Sequence, residues 1–136
     1  MARIESSNFK LNLSIESIDF AEEQKGNPYN SICAFEIYSD GFYGKTKITT
    51  SSKYIAGFIS DLKNMYKSLK GNTQLSDFDY GTNLHIKCDK LGFFIFNGIV
   101  INESFHQLKF ENRLDQTYLQ DFIRELADEF DSSKNM

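Results

Sequence analysis

Cysteine, proline and tryptophan are scarce in this chain, and their scarcity excludes several classes of protein. The 136 residues include two cysteines, one proline and no tryptophan. Cys33 and Cys88 are too few for a secreted disulfide scaffold, and they form no C-x-x-C redox unit. One proline and eight glycines exclude a collagenous or low-complexity chain. We therefore expect a compact globular protein with reduced thiols.

The chain also lacks a long apolar run and an excess of basic charge. Its most apolar segment, 93–101, is interrupted by Asn97-Gly98 and is far shorter than the ~20 residues that span a bilayer. The amino terminus lacks the continuous apolar stretch of a signal peptide. The 15 basic and 19 acidic residues give a net charge of −4, whereas proteins that bind nucleic acid or anionic membranes carry basic surfaces. We therefore expect a cytoplasmic protein that binds neither.

The apolar content is sufficient for a core. Hydrophobic residues make up 40% of the chain and aromatic residues 15%. A chain of this length buries roughly two-thirds of its unfolded surface, so neither a metal ion nor a disulfide is needed for stability. We predict a single domain over residues 1–136. Its ends, 1–8 and 131–136, are expected to fray, since the carboxy-terminal tail has no apolar anchor.

Alternation of apolar and polar residues predicts six strands. In the first of them, Leu11, Leu13 and Ile15 point one way and the polar residues between them point the other. Asp40-Gly41 supplies the positive φ values of a tight hairpin between the second and third strands. The last three strands follow one another closely, which favours an antiparallel meander. The predicted strands span residues 9–20, 32–38, 42–50, 84–89, 93–101 and 105–112.

In two stretches of the chain, the apolar residues recur at helical spacing. The first predicted helix, Lys53–Lys70, follows a serine cap, and Gly71 occupies the position of a left-handed C-terminal residue. Its apolar stripe, roughly 140° wide, suits packing across a sheet. Asp115 caps a second helix whose apolar residues run from Tyr118 to Phe130. This order predicts an α+β fold in which an antiparallel sheet of about six strands packs against one long helix, with a second C-terminal helix.

No motif for catalysis or metal binding is recognisable. His85 and Cys88 are three residues apart and point to opposite faces of a regular strand, so they cannot chelate one ion. The chain has no G-x-S-x-G elbow and no glycine-rich phosphate loop. Paired carboxylates such as Glu22-Glu23 lie in polar stretches without the apolar surroundings that general-acid catalysis requires. We therefore expect no enzyme activity, no metal site and no cofactor.

Charged and aromatic residues outside the core supply the candidates for binding. The second helix places a row of carboxylates opposite its apolar stripe. This row is either an ordinary solvated face or a docking face that speeds the encounter with a basic partner. Aromatic residues beside turns, including Tyr29, Tyr38 and Tyr80, either cover the core edge or anchor an interface. The candidate partner-binding residues are Asp121, Glu125, Asp128 and Glu129 of the helix, with Phe42 and Tyr43 of the hairpin.

Dispersed motifs along the chain occur in the order seen in one protein family. A hairpin with the sequence Gly41-Phe42-Tyr43-Gly44 precedes a helix that ends in Leu62-x-x-Met65-Tyr66-x-x-Leu69-x-Gly71. Leu84-His85-Ile86 follows, and Leu108-x-Phe110-x-x-x-x-Asp115-Gln116-Thr117-Tyr118-Leu119 is the most specific motif. Over most of residues 30–126, the chain resembles the WapI-type immunity proteins. These small bacterial proteins neutralise the toxic carboxy-terminal domain of a wall-associated, contact-dependent toxin.

The resemblance implies a cytoplasmic antitoxin that blocks a cognate toxin domain, with a nuclease as one candidate, by capping its active site. The matched positions are mainly core and capping residues, so no binding residue carries over from the family. Two other functions remain open on the sequence: a small-ligand-binding or scaffolding domain of unrelated role, and a degenerate enzyme. A large apolar pocket would favour the first, and converging polar residues would favour the second. The sequence does not define the oligomeric state.

Overall fold

A computed structural model describes residues 1–134 and shows two groups of four strands, each followed by a long helix. The elements of these residues are β1 (Ala2–Glu5), β2 (Phe9–Ile18), α1 (Phe20–Gln24), β3 (Ser31–Ser39), β4 (Phe42–Thr50), α2 (Ser52–Ser68), β5 (Asn72–Ser76), β6 (Asn83–Cys88), β7 (Phe94–Ile101), β8 (Gln107–Leu114) and α3 (Thr117–Lys134). Strands β1–β4 form the first sheet and β5–β8 the second, each in chain order and antiparallel throughout.

The α+β class is confirmed, but the prediction of one sheet of about six strands on one long helix is wrong in detail. There are two sheets because α2 separates β4 from β5, and strand pairing does not continue across it. The two strands that the alternation pattern missed, β1 and β5, have 4 and 5 residues. Strands this short carry too few alternating positions to be distinguished from loops.

The two long helices begin and end close to the predicted positions. Ser51 caps α2, and its Oγ accepts a hydrogen bond of 3.2 Å from the Tyr54 N–H. The left-handed C-cap is Leu69, with φ of 56°, rather than Gly71. The Leu69 N–H donates a 2.8 Å hydrogen bond to the carbonyl of Met65. Among residues 1–134, no helix is long and apolar enough to cross a membrane.

One hydrophobic cluster joins both sheets to α2 and α3. The ring of Phe9 in the first sheet lies 5.9 Å from that of Phe96 and 6.3 Å from that of Phe110, both in the second sheet. Phe58 and Leu62 of α2 are buried in this cluster, as the helical stripe predicts. The core is therefore shared by both sheets and both long helices.

The structure differs from the prediction that both ends of the chain fray. Ala2 and Ile4 of β1 are buried and pair with Leu13 and Leu11 of β2, so residues 1–8 do not form a frayed segment. The reason is that α3 packs on β1 and covers it. Residues 131–134, also predicted to fray, continue α3, while 135–136 of the same prediction lie outside the described residues.

The hairpin between β3 and β4 has the predicted two-residue turn. Asp40 has φ of 47° and Gly41 of 86°, and the ladder closes with Ser39 opposite Phe42. A residue outside the hairpin also holds the turn in place, because the Asp40 N–H donates a 2.8 Å hydrogen bond to the carbonyl of Asn8. The residues that follow the turn are therefore held in a defined position.

Candidate protein-binding surfaces

Helix α3 buries its apolar stripe and presents carboxylates on the opposite side. The buried residues are Leu119, Phe122, Ile123, Leu126 and Phe130. Asp121 and Asp128 are exposed and Glu125 is half-exposed. These three carboxylates lie about one helical turn apart along α3. They form one continuous row, and we call Asp121, Glu125 and Asp128 the acidic row. Within the row, Asp121 Oδ1 forms an ion pair with Arg124 Nη1 at 3.0 Å.

The acidic row borders a different neighbour at each end. Asp121 and Glu125 line a cleft of about 260 Å³ against β1, next to Arg3. Asp128 borders a groove of about 400 Å³ between α2 and α3, in which Lys63 contributes to the other wall. A partner that contacts the whole row would therefore reach from the edge of the first sheet to α2.

Glu129, the fourth acidic candidate, is engaged within the fold. Its Oε1 accepts a 2.6 Å hydrogen bond from the backbone N–H of Ile15, and its Oε2 lies 3.1 Å from the amino-terminal ammonium of Met1. The contact occurs where the register of β2 shifts between Ile15 and Ser17, and bulges leave backbone groups without a regular ladder partner. Glu129 therefore fastens α3 to β2 and is not a free member of the acidic row.

Phe42 and Tyr43, the aromatic candidates, lie exposed at the hairpin. Phe42 is 67% and Tyr43 57% exposed, and Tyr43 pairs across the ladder with Tyr38. The Tyr43 hydroxyl donates a 2.7 Å hydrogen bond to Glu36 Oε2. This bond, with one of 2.6 Å from Asn12, lowers the pKa of the Glu36 carboxyl below its ordinary value. The two aromatic rings are accessible, while the Tyr43 hydroxyl already has a partner.

The hairpin and the acidic row have different surroundings. The main neighbours of α3 are β1, β2 and α2. The hairpin instead meets the second sheet, because the side chain of Asn112 donates a 2.9 Å hydrogen bond to Ser39 Oγ. The residues predicted as one partner-binding set therefore belong to two separate surfaces.

A third candidate surface consists of two groups of aromatic rings around the loop between β5 and β6. Phe78 meets Tyr29 and Tyr54 edge to face, with ring centroids 5.3 and 5.6 Å apart. Tyr80 meets Phe105 in the same way at 5.7 Å. We call these five residues the aromatic platform. The turn pattern in the sequence identifies Tyr29 and Tyr80 as candidates but misses the other three.

The loop that carries Phe78 and Tyr80 is fixed to the end of β4 by Asp77. This buried side chain accepts hydrogen bonds from the N–H of Thr49 at 2.7 Å and from the N–H of Tyr80 at 2.5 Å. The Phe78 N–H also donates to the Thr49 carbonyl at 2.9 Å. The loop that carries Phe78 and Tyr80 is therefore held by hydrogen bonds and does not depend on the packing of the rings alone.

The thiols and carboxylates do not assemble into a metal site within the described part of the chain. Residues 1–134 contain no group of three or more histidine, cysteine, aspartate or glutamate side chains placed to hold an ion. Cys33 and Cys88 are free, on separate sheets. Burial raises the pKa of Cys33 to about 12, and the charges of Glu129 and Glu16 add to the effect. Burial also raises the pKa of Cys88.

We expect a reducing agent to leave the melting temperature unchanged, because both cysteines are free thiols. At pH 8 a pKa of about 12 leaves only about one Cys33 in ten thousand as thiolate. Iodoacetamide should therefore label Cys33 slowly in the native protein and rapidly in urea, as followed by mass spectrometry. A fall of several degrees in melting temperature on reduction would instead show a structural disulfide.

Comparison with known proteins assigns the chain to a family. The model of the immunity protein WapI-like family matches residues 3–132. The chain belongs to the WapI-like immunity protein family. The match extends beyond the segment of residues 30–126 that carries the resemblance in the sequence, and it includes β1, β2 and most of α3. No curated protein matches the chain.

Among solved structures, the chain is similar in fold to the crystal structure of WHY1 from Arabidopsis thaliana. The TM-score is 0.52 and the sequence identity 6%, and the alignment covers 94% of this chain and 86% of that chain. At this identity the likeness concerns the fold alone. The arrangement of sheets and helices is therefore shared with a chain of unrelated sequence.

Proposed function

We propose that this chain is a non-catalytic immunity protein that neutralises a cognate bacterial toxin domain by binding it directly in the cytoplasm. The observation that carries the proposal is the match of the WapI-like immunity family to residues 3–132. The exposed carboxylates of α3 and the exposed aromatic rings support a binding role. Charged groups of this kind steer partners together, and aromatic side chains anchor protein interfaces.

The partner that best fits the acidic row is a toxin with a basic surface, and we propose a nuclease. Nucleases bind the phosphate backbone with lysine and arginine side chains, so their clefts are complementary to a row of carboxylates. Asp121, Glu125 and Asp128 point away from the core stripe of α3. Binding through them would place the immunity protein over the cleft and exclude the nucleic acid.

A small-ligand-binding role is the second candidate, and the groove between α2 and α3 is the observation that favours it. Its volume of about 400 Å³ lies within the range of ligand sites. Its lining includes apolar Tyr66, Ile123 and Ala127. However, the groove opens to solvent between charged side chains of both signs, whereas ligand sites enclose most of their ligand. The family match makes the immunity role the stronger candidate.

We expect the triple variant Asp121→Asn, Glu125→Gln, Asp128→Asn to associate about tenfold more slowly at low salt with the toxin domain encoded beside this gene. The dependence of the rate on salt should also weaken, because fewer charges steer the encounter. The melting temperature should hardly change, since these side chains lie outside the core. Stopped-flow kinetics at two ionic strengths provides the measurement.

A matched control separates position from net charge. Glu16→Gln, Asp61→Asn and Glu111→Gln together remove three negative charges from residues outside α3 and outside the other candidate surfaces. We expect this variant to retain most of the wild-type association rate. Equal slowing by both triple variants would mean that only the overall charge matters, and unchanged kinetics in the first would remove the acidic row from the interface.

A further inference from the structure

Phe105 combines two unfavourable features at the turn between β7 and β8. Its φ is 63°, in the left-handed region that non-glycine residues seldom adopt. Its side chain is also 68% exposed. Asparagine or glycine would suit this backbone position better, so neither local conformation nor burial explains a phenylalanine here. Strained and exposed residues of this kind are concentrated at functional sites.

The ring of Phe105 belongs to one of two groups of aromatic rings around the β5–β6 loop. It meets Tyr80 edge to face, while Phe78, two residues before Tyr80 in the chain, forms the other group with Tyr54 and Tyr29. Tyr29 is 54% and Tyr54 63% exposed, so both rings are accessible to a partner. Phe78 and Tyr80 lie on a loop that hydrogen bonds hold in place, which lowers the entropy lost when a partner binds them.

The chain segments that carry Tyr80 and Phe105 bear negative charge. Asp79 lies between Phe78 and Tyr80, and Glu103 lies two residues before Phe105; both are exposed. The loop segments 77–82 and 102–106 contain no lysine or arginine. The cations lie in the segments of the other group: Lys53 is next to Tyr54, and Lys25, four residues before Tyr29, pairs with Glu22. Aromatic faces attract cations, arginine most often. Negative charge and π-faces together are complementary to a partner that presents arginine side chains.

We propose that the aromatic platform of Tyr29, Tyr54, Phe78, Tyr80 and Phe105 is the main anchor for the toxin domain and receives an arginine-bearing segment of it. The guanidinium group stacks on the rings of Tyr80 and Phe105 and pairs with the carboxylate of Asp79 or Glu103. This inference rests on the proposed function. The acidic row then steers the encounter, and the platform determines how long the complex lasts.

The variant Phe105→Asn tests the contribution of the ring to binding without an expected loss of stability. Asparagine tolerates a positive φ and removes an exposed ring, so the melting temperature should stay equal to that of the wild type or rise. The dissociation constant for the toxin domain encoded beside this gene should increase at least about 30-fold, as for a lost aromatic anchor. Tyr54→Ala is the second variant, because the capping hydrogen bond uses its backbone N–H and survives the change.

Leu91→Asn is the matched control. Leu91 is 77% exposed, but it lies in the turn at the other end of β7, roughly 25 Å away along the strand. We expect it to bind the toxin domain as the wild type does. The double variant Asp79→Asn, Glu103→Gln should weaken binding and reduce its dependence on salt. Calorimetric titrations at two salt concentrations measure all four proteins against the wild type.

The outcomes distinguish this inference from the proposed function. Wild-type affinity in both Phe105→Asn and Tyr54→Ala would overturn the platform as anchor and leave the immunity role intact. A wild-type protein that neither binds the toxin domain nor protects against it would overturn both. Two further results would overturn the assigned occupant: a wild-type dimer that Phe105→Asn dissociates, or an oligothymidylate that binds the wild type and not Phe105→Asn.

Discussion

Replacing Gly98 by alanine is expected to lower the free energy of unfolding by about 3 kcal/mol or more. A Cβ atom at this position would overlap the carbonyl oxygen of Asn83 and lie 2.9 Å from its carbon. Gly98 is opposite Leu84 in the β6–β7 ladder, so relief of this overlap requires separation of two central strands. The φ of 155° adds a conformation that is uncommon for L residues. Urea unfolding measures the change.

Gly57→Ala is the control, and it is expected to raise the free energy of unfolding rather than lower it. Gly57 lies within α2, and an added Cβ would meet nothing within 4 Å. Gly57→Ala should therefore raise the free energy of unfolding by about 0.5–1 kcal/mol through helix propensity. If the two substitutions changed stability by similar small amounts, the close approach of β6 and β7 at Gly98 would be wrong.

Removing the side chain of Leu62 should have an effect of similar size. Leu62 lies in the middle of the buried stripe of α2 and has no exposed surface. Leu62→Ala should cost about 2–5 kcal/mol and lower the melting temperature by about 8–20 °C, because it removes packing and leaves a cavity. Scanning calorimetry gives both quantities. Lys63→Ala, next to it on the exposed side, should shift the melting temperature by less than about 2 °C; equal shifts would place α2 in the wrong orientation.

Sequence periodicity predicted the elements that carry many alternating or helically spaced residues. It identified six of the eight strands, the two long helices and the Asp40-Gly41 turn, because each has a local signal. It did not identify β1, β5 or the five-residue α1. It also could not divide the strands between two sheets, because which edges pair depends on how α2 crosses the core.

Local sequence patterns were also insufficient to predict how the candidate binding residues are used in the fold. Helical spacing correctly placed Asp121, Glu125 and Asp128 on the solvent side of α3. Glu129 has the same local pattern, yet its partner is the backbone of Ile15, 114 positions earlier in the chain. The aromatic platform is assembled from four separate segments of the chain, so no window of sequence contains it. Contacts between distant segments leave no periodic signal.

The proposed binding role is divided between two surfaces of the fold. Membership of the WapI-like immunity family rests on residues 3–132. The acidic row and the aromatic platform lie outside the core, so substitution in either is expected to change binding more than stability. The core substitutions at Leu62 and Gly98 should do the reverse. This separation allows loss of function to be assigned to the interface or to the fold.

The most direct test of the proposed immunity role is the growth of a bacterial host that expresses the product of the neighbouring gene, as the proposed toxin, with or without this chain. We expect the toxin domain alone to arrest growth and co-expression of the wild-type chain to restore it. Immunoblots would establish that both proteins are present at equal levels in each culture. Growth arrest that persists with the intact chain present would contradict the account.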